Sequence, residues 1–482
     1  IAACLLSATE YSSTKQRCNV YSFTSDGGCL KPMNKPIDFV YLPIADIVCI
    51  RALYDYTSEE YLAGVGFVKE EGQSFFNIYG ADTQENLPEC CLCFSELTHV
   101  PLQAAHSYYI SPSTKKPQWA FFLACGNPCH SPTSSGPTSG PLPSSIQVYA
   151  RLGDCRSCKT DLGPQDPLVL SSSPPDQSVT DSVSSNDGLK STEASDSATL
   201  GRQASHLVNK VYGELDIASA VSLFPELKCV SASMVTYMDF VMLKTDPPVR
   251  LSAFGCIDGW FGVGMTDISK PVLLHFFSGS HDSPITCVKL FKQFPEPSPH
   301  PLGSQGETVE PPFSAGTPEE FSLLVCSGFE PAVVYQNVYT CQHFGSDNQA
   351  VLHGSADFDH VNCACVGDLD FDGRPEIVIG TFGQQLLLYR WVTDEERTSD
   401  SVVAVAAAAD KASLPGRYEC VSRRTVAGQV HSLLYGYDFL GDGCLCLAVL
   451  TSQGLQVLQC KSETVMDLLE RRLDCLLADS KL

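Results

Sequence analysis

The chain has 482 residues, enough for about three domains or for one large β architecture with insertions. Its 31 Lys and Arg residues against 55 Asp and Glu residues give a formal net charge of −24 at pH 7. That charge argues against nucleic acid or anionic lipid as the main partner, because the field of the whole molecule repels phosphates. Hydrophobic residues form 44% of the chain and charged residues 18%, which is the balance of a folded protein.

The cellular setting can be inferred from the cysteines and from the longest apolar runs. The chain has 23 cysteines, an odd number, and many lie in apolar stretches, as Cys49 and Cys446 do. This pattern indicates reduced thiols in the cytoplasm. No apolar run approaches the roughly 18 residues of a membrane-spanning helix, so direct membrane insertion is not expected. The sequence begins at Ile1 rather than Met, and we expect the natural N-terminus to lie upstream.

Short segments rich in β-branched and aromatic residues recur along the chain, and turn residues separate them. In the first part of the chain the predicted strands are Ile44 to Ala52, Leu62 to Val68, Phe75 to Tyr79, Trp119 to Cys125, Ile146 to Tyr149, Leu251 to Cys256, Ile285 to Leu290, Leu323 to Ser327 and Ala332 to Tyr335. In the last part they are Val361 to Val366, Glu376 to Thr381, Gln385 to Arg390, Val430 to Tyr435, Cys446 to Thr451 and Leu455 to Cys460.

Strands grouped in threes and fours without intervening helices predict an all-β repeat fold. A β-propeller of about seven blades over residues 1–460 is the most economical choice, because radial stacking covers both faces of each small sheet and closure protects the edges. A pair of stacked sandwiches is the rival architecture. Polar stretches near residues 130–145, 159–205, 295–318 and 393–416 have few apolar side chains to bury and are predicted to be disordered inserts.

The last segment, residues 461–482, changes from strand to helical periodicity. It is predicted to form a C-terminal amphipathic α-helix with a leucine seam on one face. The seam residues are candidate partner contacts: Leu468, Leu469, Leu473 and Leu476. Packing of this helix back onto the body of the protein is the alternative, and the sequence leaves both open.

The most informative motif is an acidic loop between two predicted strands. Asp368, Asp370 and Asp372 alternate with other residues before Gly373, and Glu376 leads into the next strand. Oxygen-rich loops of this kind suit Ca²⁺, which takes six to eight oxygen ligands. The alternative is a structural turn, in which the Asp side chains accept hydrogen bonds from backbone N–H groups. An EF-hand is excluded, because the flanking segments are strands and Ile379 stands where its last Glu ligand would be.

A second copy of this loop follows at residues 437–450. It keeps Asp438 and the Asp442-Gly443 turn, but Leu440 and Cys446 replace two of the acidic positions. We therefore expect the second copy not to hold calcium.

The two loops resemble the FG-GAP repeats of integrin α-chain propellers. Several further stretches, in the same order along the chain, resemble the kaptin family more narrowly. They are Ser74 to Tyr79, Leu223 to Leu227, Arg250 to Cys256, Asp282 to Ile285, Phe329 to Tyr335, Gly354 to Asp359, Asp368 to Glu376 and Thr381 to Gln384. The long polar inserts at 159–205 and 295–318 depart from that family's pattern.

This resemblance implies a non-enzymatic scaffold in the cytoplasm. Kaptin-like proteins are subunits of KICSTOR, which brings the GATOR complex to lysosomes so that mTOR complex signalling is switched off when nutrients are scarce. The implied partners are an integrin-α FG-GAP repeat protein, a large seizure-threshold scaffold and the GATOR complex. The family is also associated with F-actin in lamellipodia and stereocilia, which gives an alternative function as a cytoskeletal protein.

Two other classes of function were weighed against a scaffold. A glycoside hydrolase would need two acids that flank a substrate from different elements, whereas Asp357, Asp359, Asp368 and Asp370 cluster in neighbouring turns. An extracellular integrin-like calcium-binding adhesion module would need paired cysteines and several intact calcium loops. The odd number of thiols and the altered second loop argue against an adhesion module of this kind.

Overall fold

The computed structural model describes residues 5–12, 15–26, 29–32, 45–55, 58–69, 72–81, 90–126, 145–154, 211–292, 320–371, 373–393, 416–437 and 445–460, together with Met466, Glu470 and Leu473. These residues form seven small antiparallel sheets. The four polar inserts predicted from composition fall almost entirely outside the described residues.

Five of the sheets have four strands and two have three, and all are built from strands adjacent in the chain. The first two sheets contain β1 (Leu5–Ser12), β2 (Lys15–Asp26) and β3 (Cys29–Pro32), then β4 (Ala45–Asp55), β5 (Glu60–Lys69), β6 (Ser74–Ala81) and β7 (Cys91–Leu97). The next two contain β8 (Val100–Ile110), β9 (Pro117–Gly126), β10 (Ile146–Arg151) and β11 (Tyr212–Glu214), then β12 (Val235–Leu243), β13 (Val249–Cys256), β14 (Trp260–Asp267) and β15 (Val272–Ser280).

The remaining three sheets lie in the C-terminal half. They contain β16 (Ile285–Lys292), β17 (Phe321–Ser327), β18 (Val333–Tyr335) and β19 (Gln349–Val351), then β20 (Val361–Gly367), β21 (Glu376–Thr381), β22 (Gln385–Thr393) and β23 (Gly416–Thr425), and finally β24 (Val430–Tyr437), β25 (Cys446–Thr451) and β26 (Gly454–Leu458). The described helices are short: α1 (Ile217–Leu223), α2 (Val338–Cys341) and the 3₁₀ turns Leu152–Asp154 and Pro225–Cys229.

Contacts between the first strands arrange the sheets in a ring. Each of β4, β8, β12, β16 and β20 contacts the first strand of the next sheet, and the β1–β3 sheet contacts both β4 and β26. The first strands β4, β8, β12, β16, β20 and β24 therefore face the centre, and the sheets are the blades of a β-propeller. This confirms the predicted all-β propeller and excludes two stacked sandwiches.

The same irregularity marks the first strand of six blades. The register skips one residue near the start of that strand, a β-bulge, at Val48, Leu102, Thr236, Thr286, Asn362 and His431. At two of these bulges the side chain bonds to the next blade. Thr236 Oγ1 donates to the Ile285 carbonyl at 2.6 Å, and Asn362 Nδ2 donates to the Val430 carbonyl at 2.8 Å. The bulge thus helps to fix the spacing between blades.

The hydrophobic core lies between the blades as well as within them. One cluster joins β8–β10 to β12 and β13, and another joins β12–β14 to β16–β18. The rings of Phe122 on β9 and Phe240 on β12 pack at an interplanar angle of 32° with centroids 4.4 Å apart. Each blade is therefore stabilised mainly by its neighbours, as radial stacking requires.

A buried ion pair fastens the segment before β12 to the faces of β13 and β14. Glu226 and Arg250 are both fully buried, and Arg250 Nε donates to Glu226 Oε1 at 2.8 Å. Ser252 Oγ donates to the same oxygen at 2.9 Å, and Thr266 Oγ1 donates to Glu226 Oε2 at 2.8 Å. Gly264 makes room for this acid, because a Cβ there would lie 2.8 Å from Glu226 Cβ.

No helix among the described residues is long and apolar enough to cross a membrane.

Candidate functional site

The acidic loop connects β20 to β21 at one end of the sixth sheet. The register pairs Gly367 with Glu376, so the loop closes directly on the two strand ends. One ligand oxygen from each of Asp368, Asp370 and Glu376 lies within 4.8 Å of the others. Glu376 is 1% exposed and the two Asp side chains are half-buried. Asp372, the fourth predicted ligand, lies outside the described residues.

Backbone N–H groups of the loop already use some of these carboxylate oxygens. Glu376 Oε2 accepts from the N–H of Leu369 at 2.7 Å and from that of Asp370 at 3.3 Å. Asp368 Oδ2 accepts from the Gly373 N–H at 2.9 Å. Gly373 has φ +81°, a left-handed conformation that favours glycine and explains the sharp turn at this position. The arrangement has the hydrogen bonds that the structural-turn alternative requires.

The donor chemistry of the loop also fits a calcium ion. Asp368 Oδ1 and Glu376 Oε1, the oxygens on the other side of the two carboxylates, are buried from solvent. Three carboxylates close together match the all-oxygen coordination of Ca²⁺. Arg390 supplies a competing positive charge, because its Nη1 lies 3.4 Å from Asp370 Oδ2. Calcium binding at Asp368, Asp370, Asp372 and Glu376 therefore stays a prediction.

The next blade holds this loop from the side. The Tyr435 hydroxyl donates to the Asp368 carbonyl, and Cys460 Sγ donates to the Leu369 carbonyl at 2.9 Å. Burial, together with the charge of Asp368, raises the pKa of Tyr435, so the phenol stays protonated and can donate. These contacts fasten the loop of the sixth sheet to the seventh sheet.

The second acidic loop lies outside the described residues between Tyr437 and Leu445. Its ends are described, and the register pairs Tyr437 with Cys446 just as it pairs Gly367 with Glu376. Cys446 therefore occupies the position equivalent to Glu376 and is fully buried. A thiol thus stands where the first loop has a buried carboxylate, and the expectation that the second loop does not hold calcium stays a prediction.

The predicted leucine seam is described at one position. Met466, Glu470 and Leu473 are helical, as the change of period predicts, and the Leu473 side chain is 58% exposed. The other seam residues, Leu468, Leu469 and Leu476, lie outside the described residues. The exposure of Leu473 is consistent with a surface that a partner contacts.

Two polar contacts join first strands of neighbouring blades at the centre of the ring. Lys289 Nζ lies 3.2 Å from Asp239 Oδ1, and Arg51 Nε donates to His106 Nδ1 at 2.9 Å. Burial, aided by the charges of Arg51 and Lys289, lowers the pKa of His106 to about 3, so this imidazole is neutral at pH 7. The Asp239 carboxylate is thus paired with the Lys289 ammonium group.

A cavity of about 240 Å³ lies between the sixth and seventh sheets. Half of its lining residues are leucine: Leu369, Leu386, Leu388, Leu445, Leu447 and Leu458. Arg424 is the charged member of the described lining, which contains no carboxylate.

Several cysteines are buried where β16, β17 and β20 meet. Burial raises the pKa of Cys287 to about 11 and that of Cys365 to about 12. It raises the pKa of Cys326 and Cys363 well above the ordinary thiol value. These thiols are protonated at pH 7 and are poor nucleophiles.

The family comparison bears on most of these features. The family described as KICSTOR complex protein kaptin matches residues 204–470, more than half of the chain. The chain belongs to the kaptin family. The matched range contains the buried ion pair, the acidic loop, Leu468 and Leu469, whereas Leu473 and Leu476 follow it.

A member of the kaptin family from mouse, KICSTOR complex protein kaptin, is 32% identical over 238 residues. That alignment covers 49% of this chain and 47% of the mouse protein, so the chain matches about half the length of this relative. Two crystal structures of BBS1N in complex with ARL6DN, soaked with lead or mercury, share 12% and 10% identity with TM-scores of 0.33 and 0.34. They cover 88% and 89% of this chain and 96% of their own chains. The propeller assignment rests on the strand topology of this chain itself.

The pairing of Glu226 with Arg250 was not predicted, since the two residues lie in separate stretches of the sequence. Burying the charge of a Glu after Phe-Pro, or of an Arg inside an apolar strand, is costly without a counter-ion. This cost is the signal that could have predicted the ion pair. Phe329 was also not singled out as a surface residue, although the Gly-Phe-Glu-Pro sequence after a buried strand is a turn signal.

Proposed function

We propose that this chain is a non-enzymatic scaffold subunit of a KICSTOR-like complex. In this proposal it helps recruit GATOR to lysosomes and negatively regulates mTOR complex signalling under nutrient deprivation. Its place is the cytoplasm, with recruitment to the lysosomal membrane through its partners. The observation that carries the proposal is the kaptin family match over residues 204–470.

The chemistry of the described residues supports binding rather than catalysis. The buried thiols are held protonated, the cavity has an apolar lining and the central acid is bound by Lys289. A ring of blades, by contrast, offers many turns and strand edges to other proteins. The proposed partners are an integrin-α FG-GAP repeat protein and a seizure-threshold scaffold, with GATOR as the recruited complex.

Two local features have proposed roles in this assembly. The C-terminal helix contacts a partner through the leucine seam that includes Leu473, which the exposure of that side chain supports. The acidic loop holds Ca²⁺ as a stabiliser of the joint between the sixth and seventh sheets, which its three clustered carboxylates support.

Affinity purification with mass spectrometry tests this function. The tagged full chain is expressed in human cells that are either nutrient-replete or starved, and an unrelated propeller with the same tag serves as control. We expect the two KICSTOR-type partners under both conditions, with GATOR subunits in the same eluate. Recovery of actin and its binding proteins without those partners would contradict the proposal and favour the cytoskeletal alternative.

A further inference from the structure

The turns between the second and third strands are equivalent in four blades. In each, the N–H of a turn residue donates to the carbonyl of the residue immediately before that blade's first strand. The bonds are Ile257 to Met234 at 2.9 Å, Gly328 to Pro284 at 2.9 Å, Phe382 to His360 at 3.0 Å and Ser452 to Gln429 at 3.0 Å. These turns and the connections that enter the blades therefore lie on one face of the ring.

Three consecutive blades display an apolar side chain in this turn. Ile257 is 44% exposed, Phe329 is 83% exposed and Phe382 is 40% exposed. The next blade carries polar Ser452 and Gln453 there instead. Single exposed apolar residues are ordinary on protein surfaces. Their repetition in the equivalent turn of three neighbouring blades is what distinguishes this face; Ile257 and Phe382 are the donor residues themselves, and Phe329 follows the donor Gly328.

The aromatic side chains are presented by ordered turns. The Phe329 N–H donates to Ser283 Oγ at 3.2 Å, and Glu330 Oε2 accepts from the Asp282 N–H at 3.1 Å. The Phe382 ring stacks on the His360 ring with centroids 4.9 Å apart. Because these turns are already ordered, this chain loses little backbone entropy when a partner binds to them.

The surroundings of these residues are acidic. Five short segments form the face in these blades: 257–259, 281–284, 328–332, 352–360 and 382–384. They contain no Lys or Arg, and their carboxylates are Asp258, Asp282, Glu330, Asp357 and Asp359. Burial lowers the pKa of His281, so this imidazole adds no positive charge at pH 7. One cation borders the face: the guanidinium of Arg423 on β23 lies 4.8 Å from the centroid of the Phe358 ring.

We propose that this face docks a basic amphipathic segment of a partner protein. Apolar side chains of that segment contact Ile257, Phe329 and Phe382, and its Lys and Arg residues face the surrounding carboxylates. Charge complementarity selects this kind of occupant over an acidic one. Phe329, the most exposed of the three, is the expected hot spot. The inference rests on the proposed function, because it assigns a partner surface to the scaffold.

The test uses the full chain and a fluorescein-labelled synthetic helix with Lys and Leu at amphipathic spacing. A second peptide has Glu in place of every Lys. Binding is measured by fluorescence anisotropy at physiological salt, and hydrogen exchange of the complex locates the contact. We expect the Lys peptide to bind, the Glu peptide not to bind, and the amides around Phe329 to be protected.

Three single substitutions decide the site. Phe329→Ala should raise the Kd of the Lys peptide about five-fold or more, and its exposure leaves folding unaffected. Leu274→Ala removes an exposed leucine from the outer strand β15, and Gln453→Ala changes the equivalent turn of the next blade. Neither control should change the Kd. Equal weakening by Leu274→Ala, equal binding of the Glu peptide, or no binding of the Lys peptide would overturn the inference.

Failure here is distinguishable from failure of the proposed function. If KICSTOR-type partners co-purify with the full chain but the Lys peptide does not bind this face, the inference is wrong and the function stands. If the peptide binds in the Phe329-dependent way but those partners do not co-purify, the surface stands and the function is wrong.

Discussion

The buried ion pair offers the sharpest test of how the fourth sheet is held. Glu226→Gln keeps the shape of the side chain but removes its charge, and this leaves the fully buried Arg250 guanidinium without its counter-ion. Breaking a buried pair from one side typically costs about 3–5 kcal/mol. The Gln amide oxygen can replace only one of the two carboxylate oxygens, so either the Thr266 hydroxyl or the Ser252 hydroxyl with Arg250 Nε would lose its acceptor.

The assay is thermal unfolding combined with hydrogen exchange of β12–β15. We expect Glu226→Gln to lower Tm by several degrees and to speed exchange in β13 and β14. The matched control is Glu419→Gln, which breaks the exposed Arg417–Glu419 pair, 2.6 Å long, and should cost no more than about 1 kcal/mol. The double variant Glu226→Gln with Arg250→Met removes both charges and should be more stable than Glu226→Gln alone. A Glu226→Gln protein that melts like wild type would refute this reasoning.

The remaining predictions concern calcium, thiols, pH and the C-terminal helix. Asp370→Ala should lower Tm in the presence of calcium and leave it unchanged in chelator if the loop binds the ion; the same loss of Tm in both conditions would indicate a structural turn. Native protein should react with a thiol reagent at exposed Cys90, Cys229 and Cys420 before the buried thiols, which need denaturant because burial raises their pKa; fast labelling of Cys287 would contradict this. The pKa of His106 falls from 6.5 unfolded to about 3 folded, so its contribution to stability is full above pH 6.5 and is lost as the pH falls toward 3. His106→Gln should flatten the pH dependence of Tm between pH 6.5 and pH 4, and an unchanged slope would show that other groups cause it. Deletion of residues 462–482 should release a partner in co-purification while circular dichroism stays unchanged, and undiminished binding would remove the helix from the interface.

Much of the fold was predictable because the buried strands are short apolar runs that can be recognised in the sequence. β21 and β25 have the predicted bounds Glu376–Thr381 and Cys446–Thr451, since both are continuous apolar runs bounded by turn residues. β14 was not predicted, because Gly262 and Gly264 interrupt its hydrophobic pattern. Glycine is needed at Gly264 because the side chain of Glu226, from another segment, lies against it. The outer strand β23 was also missed, because its exposed Arg417, Arg423 and Arg424 give it a polar sequence.

The candidate sites were predictable to different degrees. The spacing in the sequence was enough to predict that Asp368, Asp370 and Glu376 lie close together, because the three carboxylates belong to one turn between paired strands. The pairing of Glu226 with Arg250 depends on contacts between separate elements, which local spacing does not encode. The same holds for Ile257, Phe329 and Phe382, because only the hydrogen bonds of the folded blades show that these residues belong to equivalent turns.

We propose that this ring of blades is a platform that binds other proteins. Size-exclusion chromatography with light scattering tests it on purified components, the full chain and the integrin-α FG-GAP repeat protein, each alone and mixed. The account predicts one new peak whose mass equals the sum of the two chains, and it predicts that this peak persists on dilution to nanomolar concentrations. Two unshifted peaks at every concentration would contradict the account.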